Sequence, residues 1–117
     1  MAEMKVDTLR EHLVRVTLVG RLDTPGVDQL ETRFLAHLLP GGNSAVVDMS
    51  AVEFVSSMGI RMLVSAGRGL RAREARLALY GVQPTVLQVF EAVALQKIIP
   101  ACSTEAEALS AVTPATE

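Results

Sequence analysis

Apolar residues near the start of the chain follow the spacing of β-strands. Residues 4–9 and 13–19 are two runs of strand length separated by a polar turn, and they predict an antiparallel pair. In the second run Val14, Val16 and Leu18 alternate with positions that also include apolar side chains. We therefore expect both faces of this strand to be partly covered.

Apolar spacings of three and four residues then predict helices. The first begins at Asp23-Thr24-Pro25, where Asp or Thr caps the helix and proline occupies the first turn, and it ends at Pro40-Gly41-Gly42. Three further helices are predicted to begin at Ser56-Ser57, Pro84-Thr85 and Ser103-Thr104-Glu105, and the last of them runs through Val112.

Short apolar runs between these helices predict three more strands, at residues 45–47, 76–80 and 98–100. Residues 49–55 are expected to form a loop, and residues 113–117 a frayed tail. The order ββαβαβαβα predicts one α/β domain over residues 1–117. Its mixed sheet of four to five strands should be covered largely on one side by about four helices.

The composition narrows the chemistry. Half of the 117 residues are hydrophobic but only 3% are aromatic, so the core must be aliphatic, as suits helices packed on a sheet. The single cysteine, Cys102, excludes an intramolecular disulfide and a CxxC redox centre. His12 and His37 lie too far apart for a helical metal motif. We expect no metal site and no cofactor.

Charge and hydropathy exclude two classes of partner. The net charge is −2, and no aromatic residues interleave with a basic run, so nucleic acid is not an expected partner. No segment approaches the roughly 20 apolar residues of a membrane span, and the N-terminus carries charges where a signal peptide is apolar. Direct membrane insertion is not expected, and the predicted location is the cytoplasm.

The most informative stretch joins a buried strand to the second helix. It places Ser56 and Ser57 at a helix N-terminus, where free backbone N–H groups and the helix dipole stabilise an anion. A phosphate there would add about 1.5 to 2 negative charges at one surface point and could create or abolish an interface. The simpler interpretation is that a serine at this position only caps the helix.

The same stretch resembles a known family signature. The pattern Asp48-x-Ser50-x-Val52-x-Phe54-Val55-x-Ser57-x-Gly59-Ile60 is similar to that of the STAS family of bacterial anti-sigma factor antagonists, which reads D-L-S-x-V-x-F-I-D-S-[ST]-G-[LI]. Gly20-Arg21-Leu22-Asp23 resembles the family's G-x-L-D. The third-helix segment of the family is similar to Pro84, Val89-Phe90-Glu91, Leu95 and Ile98-Ile99 of this chain.

This resemblance implies a STAS-like fold and a switch without catalysis of its own. The family's phosphoacceptor falls on Ser57, and its neighbouring acidic residue on Asp23. The expected partners are a serine kinase that is also the anti-sigma factor, with a histidine-kinase-like ATPase fold, and a serine phosphatase. The antagonist binds the kinase when unphosphorylated and is released by phosphorylation. The expected partner-binding residues are Asp23, Ser56, Ser57, Met58, Gly59, Arg61 and Arg68.

Three departures from the family pattern are more than conservative exchanges. Ser56 replaces the usual Asp, which makes Ser56 an alternative acceptor, and Met58 replaces the usual Ser or Thr. Ala94 replaces a glycine that precedes the leucine of the third-helix segment, a change that a helix should tolerate.

Five arginines within residues 61–76 oppose only Glu74. Such runs are usually solvated helix faces. Arg61 and Arg68 are nevertheless predicted to share the exposed face of the helix that Ser57 starts, where they could steer an acidic partner to the serine.

Two other functions stay open. The chain could be a non-phosphorylated STAS interaction subunit of a transporter or signalling scaffold. A small hydrolase with Ser57 as nucleophile is disfavoured, because Val55 stands where a nucleophile elbow needs glycine and neither histidine has a claim to be the base.

Overall fold

Four of the five strands of the sheet run parallel. The computed structural model describes residues 2–113, whose strands β1 to β5 lie side by side in chain order. Only β1 and β2 pair antiparallel; β2, β3, β4 and β5 are parallel neighbours. The strands are β1 (Ala2–Arg10), β2 (Leu13–Leu22), β3 (Ser44–Val55), β4 (Leu77–Tyr80) and β5 (Ala101–Cys102).

Four α-helices connect or follow these strands within the described residues. They are α1 (Thr24–Leu38), α2 (Ser57–Arg71), α3 (Pro84–Ala92) and α4 (Glu105–Val112), and a 3₁₀ turn spans Leu95–Lys97. The predicted order of strands and helices is therefore confirmed. Residues 114–117, most of the predicted tail, lie outside the described residues.

The helices divide unequally between the two faces of the sheet. Residues of α1, α2 and α3, including Phe34, Leu63 and Phe90, pack in the main core. On the opposite face, Ala108 and Val112 of α4 pack in a second, smaller cluster. Val16 of β2 lies in the main core, while Leu13 of the same strand contacts the second cluster. This confirms a sheet that is covered largely on one side.

Strand β3 is longer than its apolar pattern indicates. The prediction of a loop over residues 49–55 is wrong, because β3 continues to Val55 alongside β2. The pairing contains two register shifts, and after Met49 burial falls on Val52 and Val55, every third residue. The strict alternation that marks a strand is therefore lost.

The predicted strand at residues 98–100 is also wrong. Ile98 and Ile99 close the 3₁₀ turn through hydrogen bonds from their N–H groups to the Leu95 carbonyl oxygen. Ile99 is buried in the main core. The edge strand follows two residues later, as β5 beside Leu79 and Tyr80.

Ala94 does not lie in a helix, so the expectation that a helix tolerates it is wrong. Its backbone is left-handed, with φ +56°, between the end of α3 and the 3₁₀ turn. Glycine adopts this conformation without the steric penalty of a Cβ atom. The glycine that the family pattern has here would adopt this conformation without that penalty.

Within residues 2–113, no helix combines the length and the apolar character that crossing a membrane requires.

Candidate functional site

Two helices begin side by side at the carboxyl edge of the sheet. Leu22 and Val55 are the last register pair of the parallel strands β2 and β3. The next residue in each strand caps a helix: Asp23 caps α1 and Ser56 caps α2. Parallel pairing thus brings two segments, far apart in sequence, to one edge.

The Ser56 hydroxyl is occupied by structural hydrogen bonds. It donates to the Leu22 carbonyl oxygen at 2.9 Å and accepts the Gly59 N–H at 3.3 Å. The Ser56 N–H also donates to the Leu22 carbonyl at 2.9 Å. Ser56 therefore fixes the start of α2 against the end of β2, and the simple capping interpretation applies to this serine.

Ser57 occupies the first position of α2 and is exposed. Its hydroxyl makes no hydrogen bond to other described residues, so it can reach a partner without breaking an internal contact. Among residues 2–113, the two adjacent serines thus have different environments. A phosphate on Ser57 would lie where the N-terminal end of α2 favours negative charge.

Gly59 allows α2 to approach the strands closely. A Cβ atom at this position would lie 2.8 Å from the Leu22 carbonyl oxygen and 2.9 Å from the Val55 Cγ1 atom. Both contacts are closer than real Cβ atoms tolerate. Met58, beside it, is half-buried and packs against the main core, so it supports the helix start more than it presents a surface.

Asp23 uses its carboxylate to cap α1. The Gly26 N–H donates to one oxygen at 3.0 Å, and Arg21 Nε lies 3.4 Å from the other. The hydrogen bond from Gly26, with a smaller contribution from Arg21, lowers the pKa of Asp23. Asp23 is therefore a fixed negative charge at the edge where α2 begins.

Arg21 and Phe54 form an exposed pair that the sequence pattern did not reveal. They are register partners in β2 and β3, and the Arg21 guanidinium lies 4.3 Å from the centre of the Phe54 ring, a cation–π geometry. Phe54 is 38% exposed. The sequence signal available was Phe54 itself, an aromatic residue within the signature.

The signature residues Asp48 and Ser50 form a local turn-like contact in β3. Asp48 Oδ1 accepts hydrogen bonds from the Ser50 N–H at 2.9 Å and from its hydroxyl at 2.7 Å. This contact satisfies the polar side chains where the register between β2 and β3 shifts. Its role is to shape β3.

The basic residues do not gather at Ser57. Arg61 and Arg68 are both exposed on α2, as predicted. At 1.5 Å per residue, however, Arg61 begins about 6 Å along the axis from Ser57 and Arg68 about 16 Å. The other arginines of the run, Arg71, Arg73 and Arg76, lie at or beyond the far end of α2.

Both histidines lie at the opposite end of the fold from Ser57. His12 is in the turn before β2, whereas Ser57 follows the carboxyl end of β3, the parallel neighbour of β2. His37 lies in the last turn of α1, whose first turn is the one beside Ser57. Neither histidine can serve as the base for Ser57, which removes the basis for the hydrolase interpretation. No cluster of potential metal ligands occurs among residues 2–113.

Comparison with known families agrees with this geometry. The model of the STAS domain matches residues 4–108, which is most of the chain. The chain belongs to the STAS domain family. The expected STAS-like fold is thereby confirmed.

Individual relatives carry similar descriptions. BtrV of Bordetella bronchiseptica, named as an anti-sigma factor antagonist, is 28% identical over 94 residues, covering 80% of this chain and 81% of BtrV. A STAS domain protein from Planctomyces limnophilus, also described as an anti-sigma factor antagonist, superposes with a TM-score of 0.80 at 26% identity, covering 97% of this chain and 99% of that one.

The solved structures of SpoIIAA share the fold. Its unphosphorylated form, named an anti-sigma factor antagonist, gives a TM-score of 0.78 at 24% identity, covering 93% of this chain and 95% of that chain. Its phosphorylated form gives 0.70 at 22% identity, covering 93% and 98%.

Proposed function

We propose that this STAS domain is an anti-sigma factor antagonist that works by partner switching. In its unphosphorylated form it binds a serine kinase that is also the anti-sigma factor and has a histidine-kinase-like ATPase fold. Phosphorylation of Ser57 by that kinase ends the complex, and a serine phosphatase restores it. The domain acts in the cytoplasm as substrate and ligand, with no catalysis of its own.

One observation supports this proposal above the others. Of the two serines at the start of α2, Ser56 uses its hydroxyl in hydrogen bonds to Leu22 and Gly59. Ser57, by contrast, is exposed at the first helical position. Phosphorylating Ser56 would break the helix cap, while phosphorylating Ser57 would leave every hydrogen bond of the cap in place. The names of BtrV and SpoIIAA, and the existence of a phosphorylated SpoIIAA, point the same way.

Arg61 supplies a physical means for the phosphate to act. Ser57 and Arg61 are four residues apart on one helix, so their side chains are neighbours. Without phosphate, the exposed Arg61 is available to an acidic group of the kinase. A phosphate on Ser57 would pair with Arg61 in a charge-assisted contact, and it would place its remaining negative charge where the acidic group had been.

Phe54 and Arg21 extend the proposed surface along the same edge. Phenylalanine and arginine are both enriched at protein interfaces relative to the rest of the surface. With Asp23, Ser57 and Arg61, they would form the face that the kinase contacts, and Gly59, which is buried, would support that face from below. Arg68, farther along α2, would lie near its border and Met58 beneath it.

The decisive experiment combines phosphosite mapping with binding. The full chain is incubated with ATP and with candidate histidine-kinase-like ATPases of the same organism, and the product is mapped by mass spectrometry. We expect label on Ser57, and label on Ser56 alone would contradict the assignment. For the kinase that reacts, Ser57→Ala should bind as the wild type does. Ser57→Asp should bind about a hundredfold more weakly, because its carboxylate would compete for Arg61 and repel the acidic group of the kinase.

The two arginines make the geometry testable. Arg61→Glu should slow association at low salt by about tenfold, and Arg68→Glu by clearly less, because Arg68 lies farther from Ser57. Unchanged association in both variants would refute the steering role.

Equal binding by Ser57→Ala and Ser57→Asp would instead favour a constitutive interaction subunit.

A further inference from the structure

A basic groove opens at the far end of α2, across the molecule from Ser57. It has a volume of about 430 Å³. Three cationic residues line it: Arg71 from the last turn of α2, Arg76 from the segment before β4, and Lys97 from the 3₁₀ turn. One acidic residue, Glu74, lies among them. The groove therefore gathers a net positive charge in a chain whose total is −2.

Local structure explains only part of this arrangement. Cations stabilise a helix C-terminus, which accounts for Arg71. It does not account for Arg76 or Lys97, which arrive from other segments. Among residues 2–113, none of these three side chains forms an ion pair with a carboxylate. Three unpaired cations from three segments thus face one cavity.

Apolar residues also line the groove. Leu77 is buried beside the groove, Ile98 is 37% exposed, and Ala111 of α4 completes one wall. The cations themselves are exposed, so they would hold a small inorganic anion only weakly against water. A ligand that combines several carboxylates with an apolar side chain would use both parts of the lining.

We infer that this groove binds an acidic, amphipathic peptide segment of a partner protein. Carboxylates of the segment pair with Arg71, Arg76 and Lys97, and an apolar side chain packs against Ile98 and Leu77. The groove lies at the amino end of β4, whereas Ser57 follows the carboxyl end of β3. A peptide can therefore occupy it while a second protein contacts the Ser57 edge.

The test uses the full chain and a fluorescent peptide in which pairs of glutamates alternate with single leucines. Fluorescence anisotropy should show saturable binding that weakens as salt rises. The same peptide with glutamine in place of glutamate should not bind. Absence of binding by the glutamate peptide, or equal binding of both peptides, would overturn the inference.

Charge reversal locates the site. The double variant Arg71→Glu/Lys97→Glu should weaken binding by about tenfold, because each reversal replaces an attraction with a repulsion. The matched control Arg10→Glu/Arg33→Glu changes two exposed residues outside the groove and gives the same net charge. It should weaken binding clearly less. An equal loss in both double variants would show attraction to net charge alone and would overturn the site.

Two further measurements fix the ligand class and the independence of the site. Ile98→Ser should weaken peptide binding a few-fold. Unchanged affinity would contradict the proposed apolar contact between the peptide and Ile98. Competition by single-stranded DNA or anionic vesicles as effective as that of unlabelled peptide would overturn the peptide assignment. Ser57→Asp should bind the peptide as the wild type does, so this site and the proposed phosphorylation switch can fail separately.

Discussion

The Ser56 hydroxyl donates a hydrogen bond to the Leu22 carbonyl oxygen at 2.9 Å, joining the start of α2 to the end of β2 across 34 positions of sequence. The same oxygen atom of Ser56 accepts the Gly59 N–H. One hydroxyl therefore both caps a helix and ties it to the sheet. Where the family pattern has Asp, a carboxylate could cap the helix but could not donate to Leu22.

Removing this hydroxyl should weaken the fold, whereas removing its neighbour should not. We expect Ser56→Ala to lower the free energy of unfolding by about 1 to 2 kcal/mol, the usual cost of losing a helix cap. Ser57→Ala should change it by less than about 0.5 kcal/mol, as at exposed positions generally. Urea unfolding followed by circular dichroism measures both, and equal losses would contradict the different environments of the two serines.

Gly59→Ala should destabilise the protein although alanine is the better helix former. The added Cβ atom would lie 2.8 Å from the Leu22 carbonyl oxygen, and this backbone atom cannot move aside. Overpacking should lower the free energy of unfolding by about 1 to 3 kcal/mol. The better helix propensity of alanine offsets about 1 kcal/mol of this loss. Gly67→Ala is the control, because its Cβ would meet side-chain atoms and no backbone atom, with Ile99 Cγ1 nearest at 3.0 Å. A smaller loss there, also measured by urea unfolding, is the expected result.

Ala94→Gly should stabilise the protein. At φ +56° alanine carries a left-handed penalty of about 1 to 2 kcal/mol, and the greater freedom of glycine in the unfolded chain cancels about 0.4 to 1 kcal/mol of the gain. These two terms give a net increase of up to about 1.6 kcal/mol in the free energy of unfolding, with a midpoint of about 0.8 kcal/mol. Ala92→Gly, two residues earlier in α3, should have the opposite sign, and stabilisation by both substitutions would refute the backbone argument.

The sequence predicts those parts of the fold in which burial follows a regular period. The helices were found from their caps and apolar spacing, and β2 from its alternation. Residues beyond Met49 in β3 were missed because burial there falls on every third residue, in a stretch where the register with β2 shifts. The left-handed backbone of Ala94 could not be seen either, because it depends on how the 3₁₀ turn joins α3.

In the candidate site, too, features that depend on neighbouring residues were predictable, whereas features that depend on contacts between distant segments were not. Capping chemistry placed Ser56 and Ser57 at a helix start, which is a local property. The different roles of the two hydroxyls depend on the Leu22 carbonyl, and the stacking of Arg21 on Phe54 depends on the pairing of β2 with β3. In the sequence, the five arginines at residues 61–76 look like one basic cluster. Because α2 is long, however, Arg61 lies near one end of the molecule and Arg71 at the other.

Tyr80 should make the fold sensitive to alkaline pH. Its hydroxyl donates to Glu105 Oε1 at 3.0 Å, and Arg15 donates to the other Glu105 oxygen at 3.1 Å, so this network fastens α4 to its face of the sheet. Burial, followed by the hydrogen bond to Glu105, raises the pKa of Tyr80 well above its ordinary value.

A raised pKa means that the folded protein holds the tyrosine proton more tightly than the unfolded chain does. Below about pH 10, the pKa of tyrosine in the unfolded chain, this difference contributes its full amount to the free energy of unfolding. As the pH rises from there toward the pKa of Tyr80 in the folded protein, the contribution falls by up to about 1.4 kcal/mol per pH unit. Tyr80→Phe should cost about 1 kcal/mol at neutral pH, the value of the lost hydrogen bond, and should show a shallower decline above about pH 10. Because Tyr80 is the only tyrosine and the chain has no tryptophan, tyrosinate absorbance reports its titration directly. Appearance of tyrosinate at the ordinary pKa while the fold is intact would contradict the prediction.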